Sequence, residues 1–299
     1  MGTVGWSILI LAVLAAALFG LYRWAMQSQS VALLDRADAV FTASAAQTTG
    51  PIAFGDDPDQ VLVVSTPTGE RAASLPVIVF IHGGSWAKGN APDYAFAARN
   101  LAAEGYVAVS AGYRLVPGGE YPAMLEDGAA AVRWVADNIA EHGGDPTQIV
   151  LMGHSAGAYN AVMLALDPQW LAAQKVPADS IKGAIGLAGP YDFLPFDSDS
   201  TRNAFGGASD PQATQPINFV RGDAPPLLLV TGDADVTVRP RNSQALAKAM
   251  TAKGQPTEPV LIPEMGHSGI IMALAQPFEG DRAVKTPILE FLKQHVPHS

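Results

Sequence analysis

Short, strongly apolar runs recur along the chain from residue 60 onward: Gln60–Ser65, Val77–His82, Tyr106–Tyr113, Ile149–Met152, Ala184–Ala188, Leu227–Thr231 and Pro259–Pro263. Most are apolar on both faces, the pattern of strands in a parallel sheet covered by helices on either side. Stretches with helical spacing lie between them. Asp93–Glu104 carries Phe96, Asn100 and Ala103 at 3–4 intervals and is closed by Gly105. Tyr121–His142 has a stripe of Met124, Ala131, Trp134, Val135 and Ile139, with Pro122 at its start and Gly143-Gly144 at its end. Ala158–Leu166, Asn242–Lys253 and Lys285–His295 are also helix-compatible. Strands alternating with helices predict an α/β protein with a doubly wound, mostly parallel sheet. One stretch breaks the rhythm. Phe193–Pro226 is rich in Asp, Ser, Gly and Pro without a period, and is expected to form a small cap insertion.

The N-terminus follows a different pattern. Val4–Tyr22 carries no charge, and at 1.5 Å per residue it nearly covers a hydrocarbon core of ~30 Å. Trp6, Tyr22 and Trp24 sit at its two ends, where amphipathic rings favour a membrane interface. Nothing basic precedes it and the apolar run is long, so a retained single-pass anchor fits better than a cleaved signal peptide. Gln27–Thr49, rich in Ala, Ser and Gln, reads as a tether or juxtamembrane helix, and Gly50–Asp59 as a loop. The expected organisation is an anchor over 1–26, a tether over 27–49 and one folded domain over 50–299.

Composition narrows the function. The hydrophobic fraction is 48% and the charged fraction 15%, as in a globular protein with a large core. The formal net charge of −10, with no run of Lys or Arg, argues against nucleic acid as a partner. The chain has no cysteine, which removes disulfides, thiolate metal sites and cysteine nucleophiles together. No histidine–carboxylate spacing suggests metal ligands, and no cofactor is expected.

Candidate chemistry sits at the ends of the apolar runs. Gly153-His154-Ser155-Ala156-Gly157 follows one run and opens a helical one, the context that G-x-S-x-G requires. Small residues at 153 and 157 let strand and helix approach, and the sharp turn presents the Ser155 hydroxyl beside a helix N-terminus that favours negative charge. His82-Gly83-Gly84-Ser85-Trp86 also follows a strand. Acyl transfer builds charge on a carbonyl oxygen, and the amides of Gly83, Gly84 and Ala156 are candidates to receive it, with the Ser85 amide an alternative. Trp86 could line a substrate pocket or pack in the core.

Six histidines are available as a base. His82 and His154 lie inside the motifs, where they suit loop support; His142 ends a helix; His295 and His298 are near the C-terminus. His267, in Pro263-Glu264-Met265-Gly266-His267 after the last apolar run, is the preferred base. An orienting acid is expected between serine and histidine in the chain. Gly232-Asp233-Ala234-Asp235 follows a strand there. Asp235 is favoured because Asp233 sits in the tight turn, where an aspartate often caps local amides.

From about Gly50 onward the chain resembles the carboxylesterase branch of the α/β-hydrolase superfamily that includes hormone-sensitive-lipase-like and feruloyl-esterase-like enzymes. The resemblance rests on HGGSW at His82, YRLVPGGEYP at Tyr113, GHSAG at Gly153, GDAD at Gly232 and GH at Gly266. It implies the α/β-hydrolase fold and a triad of Ser155, Asp235 and His267. Ser85 in place of a third glycine, and GHSAGA in place of GDSAGG, shift the likeness towards feruloyl-esterase-like and kynurenine-formamidase-like relatives. The expectation is a serine hydrolase cleaving small-molecule carboxylic esters of small or medium acyl groups through an acyl-enzyme. An amide, formamide or peptide hydrolase using the same triad is the alternative within enzymes. A non-catalytic scaffold is a remote alternative, since no triad member is missing.

Overall fold

The computed structural model describes residues 31–69, 74–280 and 282–297. Among the described residues, eight strands form one sheet: β1 (Ala46–Ala53), β2 (Val61–Pro67), β3 (Leu75–Ile81), β4 (Val107–Ala111), β5 (Gly144–His154), β6 (Ile181–Leu187), β7 (Leu227–Gly232) and β8 (Val260–Ile262). Their order is β1-β2-β4-β3-β5-β6-β7-β8, antiparallel from β1 to β4 and parallel thereafter. The helices are α1 (Val31–Thr42), α2 (Ala95–Ala103), α3 (Ala123–Asn138), α4 (Ala156–Leu166), α5 (Gln169–Ala173), α6 (Asp199–Phe205), α7 (Arg241–Ala252), α8 (His267–Met272) and α9 (Lys285–His295).

The doubly apolar strands divide their residues between two cores. Along β3, Val77, Val79 and Ile81 pack with α3, α4 and α7, whereas Ile78 and Phe80 pack with α1, α2, α8 and α9. Fully burying one such side chain contributes about 1.5–3 kcal/mol. The sheet is the α/β-hydrolase arrangement. Strand order reverses around β3, so the connections to β4 and to β5 leave in opposite directions and open a crevice at the carboxyl ends of the strands. The pairing of Ile81 with Gly153 then brings the loops after β3 and β5 side by side.

Residues 31–53, expected to be a tether followed by a loop, are drawn into the domain. The sequence AQTTGPIA of β1 shows no apolar alternation because it is a solvent-facing edge strand, interrupted by a bulge between Thr49 and Ile52. α1 is held by a buried charge. Asp38, wholly inaccessible, accepts hydrogen bonds from Arg99 Nε (3.3 Å), Asn100 Nδ2 (2.6 Å) and the Gln276 amide (2.9 Å). Arg99 also bonds Asp35 at 2.7 Å. One carboxylate therefore ties α1 to α2 and to the turn after α8. The described part of the domain starts at Val31, not at Gly50.

The expected insertion over 193–226 contains α6 and two 3₁₀ turns, and packs on the α3–α4 side of the sheet. The apolar segment Val4–Tyr22 lies outside the described residues. Among the described residues, no helix is long and apolar enough to cross a membrane.

Replacing Asp38 by Ala removes the buried carboxylate shared by Arg99, Asn100 and the Gln276 amide and leaves their donors short of an acceptor. Asp38→Ala is expected to lower the free energy of unfolding by about 3–5 kcal/mol, measured by urea denaturation. A loss below about 1 kcal/mol would show that the cluster does not hold α1.

Candidate active site

Ser155 sits at the turn between β5 and α4 with φ 55° and ψ −119°. A side chain in that region costs on the order of 1–3 kcal/mol, and persists only where its surroundings enforce it. Here they do. A Cβ at Gly153 would lie 2.2 Å from the Gly157 carbonyl oxygen, and one at Gly157 would lie 2.0 Å from that of Ile81. The Ser155 amide is meanwhile held by the Leu187 carbonyl at 2.8 Å. Only glycines allow this approach, which lifts the Ser155 hydroxyl off the sheet edge.

The loops after β7 and β8 bring two further side chains to that hydroxyl. They are zipped together: the Ala234 amide donates to the Met265 carbonyl at 3.2 Å, and the Glu264 amide to Asp233 Oδ1 at 2.7 Å. Asp233 thus serves the backbone. Asp235, 3% exposed, accepts the amides of Thr237 and Val238 on Oδ1, both at 2.9 Å, and faces His267 Nδ1 with Oδ2 at 2.7 Å. His267 Nε2 lies 2.8 Å from Ser155 Oγ. Acid, imidazole and hydroxyl form one hydrogen-bonded line. Asp235 keeps the Nδ1–H tautomer, so Nε2 presents a lone pair to the hydroxyl.

Across from this line, the loop after β3 runs beside Ser155. The carbonyl of Gly83 accepts His82 Nδ1 at 2.7 Å, and that of Gly84 accepts the amides of Ala87 and Lys88, each at 3.1 Å. Among the described residues, no loop or turn hydrogen bond takes the amides of Gly83, Gly84 or Ala156. Three N–H groups near Ser155 are therefore spare to meet an anionic oxygen. Trp86 packs in the core. It is 3% exposed, donates to Asn160 Oδ1 at 3.3 Å and meets Tyr159 and Phe205 edge to face.

Two buried histidines support the loops. His82 stacks on Tyr113, whose hydroxyl donates to the His82 carbonyl at 3.1 Å. Burial lowers its pKa from 6.5 to about 4, against a smaller opposing effect of the Gly83 carbonyl. His154 Nε2 meets the His267 carbonyl at 3.2 Å. Burial, and then the nearby charge of His267, holds His154 well below the usual histidine range. Neither role was legible beyond the histidines' positions inside the motifs.

A cavity of about 610 Å³ opens at Ser155. His267 and Gly84 are in its wall, and so are Val31 and Leu34 of α1 and Ile271 and Met272 of α8. The contribution of α1 escaped sequence reading, because its Ala- and Ser-rich surroundings carry no sign of a pocket.

The fold and this constellation define the chain as an α/β-hydrolase. Residues 62–250 match the model of the BD-FAE family, and the chain belongs to that family. It is 28% identical over 241 residues to esterase LipC of Mycobacterium tuberculosis, across 72% of this chain and 58% of LipC. Similarity to a probable isoprenylcysteine alpha-carbonyl methylesterase, ICMEL1 of Oryza sativa, is 27% over 253 residues, across 77% of this chain and 59% of that protein. The chain thus spans somewhat over half the length of these relatives. Among solved structures, esterase B of Lactobacillus rhamnosis superposes with a TM-score of 0.73 at 23% identity, covering 94% of this chain and 96% of that one. The apo form of Thermogutta terrifontis esterase 2 gives 0.70 at 23%, over 85% and 96%. At such identities the likeness is one of fold.

His82 stays neutral in the folded state down to about pH 4, whereas in the unfolded chain it binds a proton near 6.5. The unfolded state therefore gains protons first, and stability falls as pH drops from 6.5 to 4, by about 1.4 kcal/mol per pH unit for this residue. His82→Gln is expected to remove that much slope from a plot of unfolding free energy against pH. An unchanged slope would refute the assignment.

Proposed function

We propose that the chain is a serine hydrolase that cleaves carboxylic esters of small or medium acyl groups through an acyl-enzyme. The observation that carries this reading is the unbroken line from Asp235 through His267 to Ser155 Oγ, at 2.7 and 2.8 Å. The word esterase in the names of LipC and of the methylesterase ICMEL1 supports an ester as substrate.

The steps follow from the geometry. His267 Nε2 takes the proton of Ser155 as Oγ attacks the ester carbonyl carbon. The carbonyl oxygen becomes an oxyanion beside the amides of Gly83, Gly84 and Ala156, which strengthen their hold as its charge grows. Asp235 stabilises the imidazolium without taking its proton. Collapse breaks the bond to the alcohol oxygen, which leaves with the proton from His267. Water, activated by the same imidazole, then releases the acid and restores Ser155.

Ser155→Ala is expected to reduce kcat on p-nitrophenyl acetate and butyrate by at least about 10⁴-fold, and Asp235→Asn by about 10³–10⁴. Fluorophosphonate labelling should vanish in the serine variant and slow along with hydrolysis in Asp235→Asn. Hydrolysis persisting in Ser155→Ala would sink the mechanism. Labelling of Ser155 without hydrolysis of any ester would point to an amide or formamide instead.

We also propose that Val4–Tyr22 anchors the chain in a membrane, on its uncharged length and terminal aromatics. The full chain should stay with membranes through alkaline carbonate extraction, and a chain starting at residue 27 should not. Release of the full chain by carbonate would end that reading.

A further inference from the structure

The two flanks of Ser155 differ in the room they offer. On the α3–α4 face, Trp86, Tyr159, Phe193 and Phe205 interlock, with ring centroids 4.8 Å apart for Trp86–Phe205 and 5.1 Å for Tyr159–Phe205. None of the four is more than 8% exposed. Tyr159 stands one helical turn beyond Ser155, its amide bonded to the Ser155 carbonyl, and Trp86 follows the oxyanion loop directly. These four rings are buried against one another, Tyr159 on the helix that Ser155 opens and Trp86 beside the loop after β3, and none lines the cavity.

Among the described residues, the opposite face holds a cavity. The cavity of about 610 Å³ runs from Ser155 towards α1, α2 and α8, between Leu34, Phe96, Ile271, Met272 and Phe278. That volume suits a ligand well beyond a two-carbon group. Its wall begins at His267 and continues through Ser268, and Thr237 beside the Asp235 loop also lines it. The cavity thus borders the imidazole, and Gly84, Ser85 and Lys88 of the loop after β3 line it as well. α1, its far wall, is fixed by Asp38, so the room is formed before any ligand arrives.

Chemistry decides which part of an ester belongs there. When the tetrahedral intermediate collapses, the alcohol oxygen must lie within hydrogen-bond reach of His267 Nε2 to receive its proton. The oxyanion occupies the amides, and the acid's carbon chain must take the remaining direction, away from both. Space bordering His267 is therefore space for the alcohol.

We propose that this cavity binds the alcohol portion of the substrate, an extended apolar group, and that the aromatic cluster confines the acid portion to a short chain. The substrate class is then short-chain acyl esters of lipophilic alcohols. The proposal rests on the serine-esterase reading above and specifies its substrate.

The test uses three esters of primary alcohols: ethyl acetate as reference, and the isomers hexyl acetate and ethyl hexanoate, which place the same carbons on opposite sides of the ester. The expected kcat/KM is about tenfold or more higher for hexyl acetate than for ethyl acetate, with no gain for ethyl hexanoate. A gain for ethyl hexanoate equal to or above that for hexyl acetate would overturn the proposal while leaving the esterase standing. Failure on all three esters, with Ser155 still labelled by a fluorophosphonate, would overturn both. Leu34→Trp, which puts a larger ring in the cavity wall, should abolish the hexyl gain. A variant that melts like the parent and keeps the gain would refute the role of α1. If it does not fold, the three-ester comparison on the unaltered chain still decides.

Discussion

The contact between β5 and α4 is the constraint on which the site depends. Gly153 and Gly157 bring strand and helix together so closely that no side chain fits at either position. That approach forces Ser155 to a positive φ and turns its hydroxyl out of the sheet. The turn is strained, and the surrounding sheet holds it: Ser155 N–H is tied to β6, and Gly157 lies against the carbonyl of Ile81 in β3. A less tightly paired sheet would let the turn relax and lose the geometry of the nucleophile. Placing the chemistry at the centre of a doubly covered parallel sheet supplies the rigidity that the strain needs.

Around that turn, the protein uses polar groups sparingly and in pairs. Asp235 keeps both oxygens occupied, one by backbone amides and one by His267, so its carboxylate is oriented rather than merely near. His82 and His154 are buried without charge and serve as hydrogen-bonding spacers, the first under the oxyanion loop and the second under the base. A neutral imidazole suits this work: it fixes a carbonyl without adding a second positive charge beside His267.

Much of this was legible in the sequence, and the reasons for the gaps are specific. Seven strands showed themselves as apolar runs, most of them because burial on both faces leaves the run uninterrupted, although Leu261 of β8 is exposed. The eighth, β1, did not, because an edge strand with a polar face needs no such run. Asp235 and Asp233 were separable because a residue in a tight turn serves the turn, as Asp233 does towards Glu264. Trp86 was undecidable, since an aromatic after the oxyanion loop suits core and pocket equally; only the positions of Tyr159 and Phe205 put it in the core. The cavity was beyond reach, because its walls come from α1, α2 and α8, which the sequence holds far apart.

Every reactive group lies on a loop at the same edge of the sheet, yet Ser155 and His267 are 112 residues apart in the chain. A ribosome delivers those residues in order, so the segments of the serine turn and of the loop after β3 are made before the one that carries the base. Until then the serine turn has no base beside it. The hydrogen-bonded line is completed only beyond β8, the last strand of the sheet, so that its formation reports that the sheet has closed at its far edge.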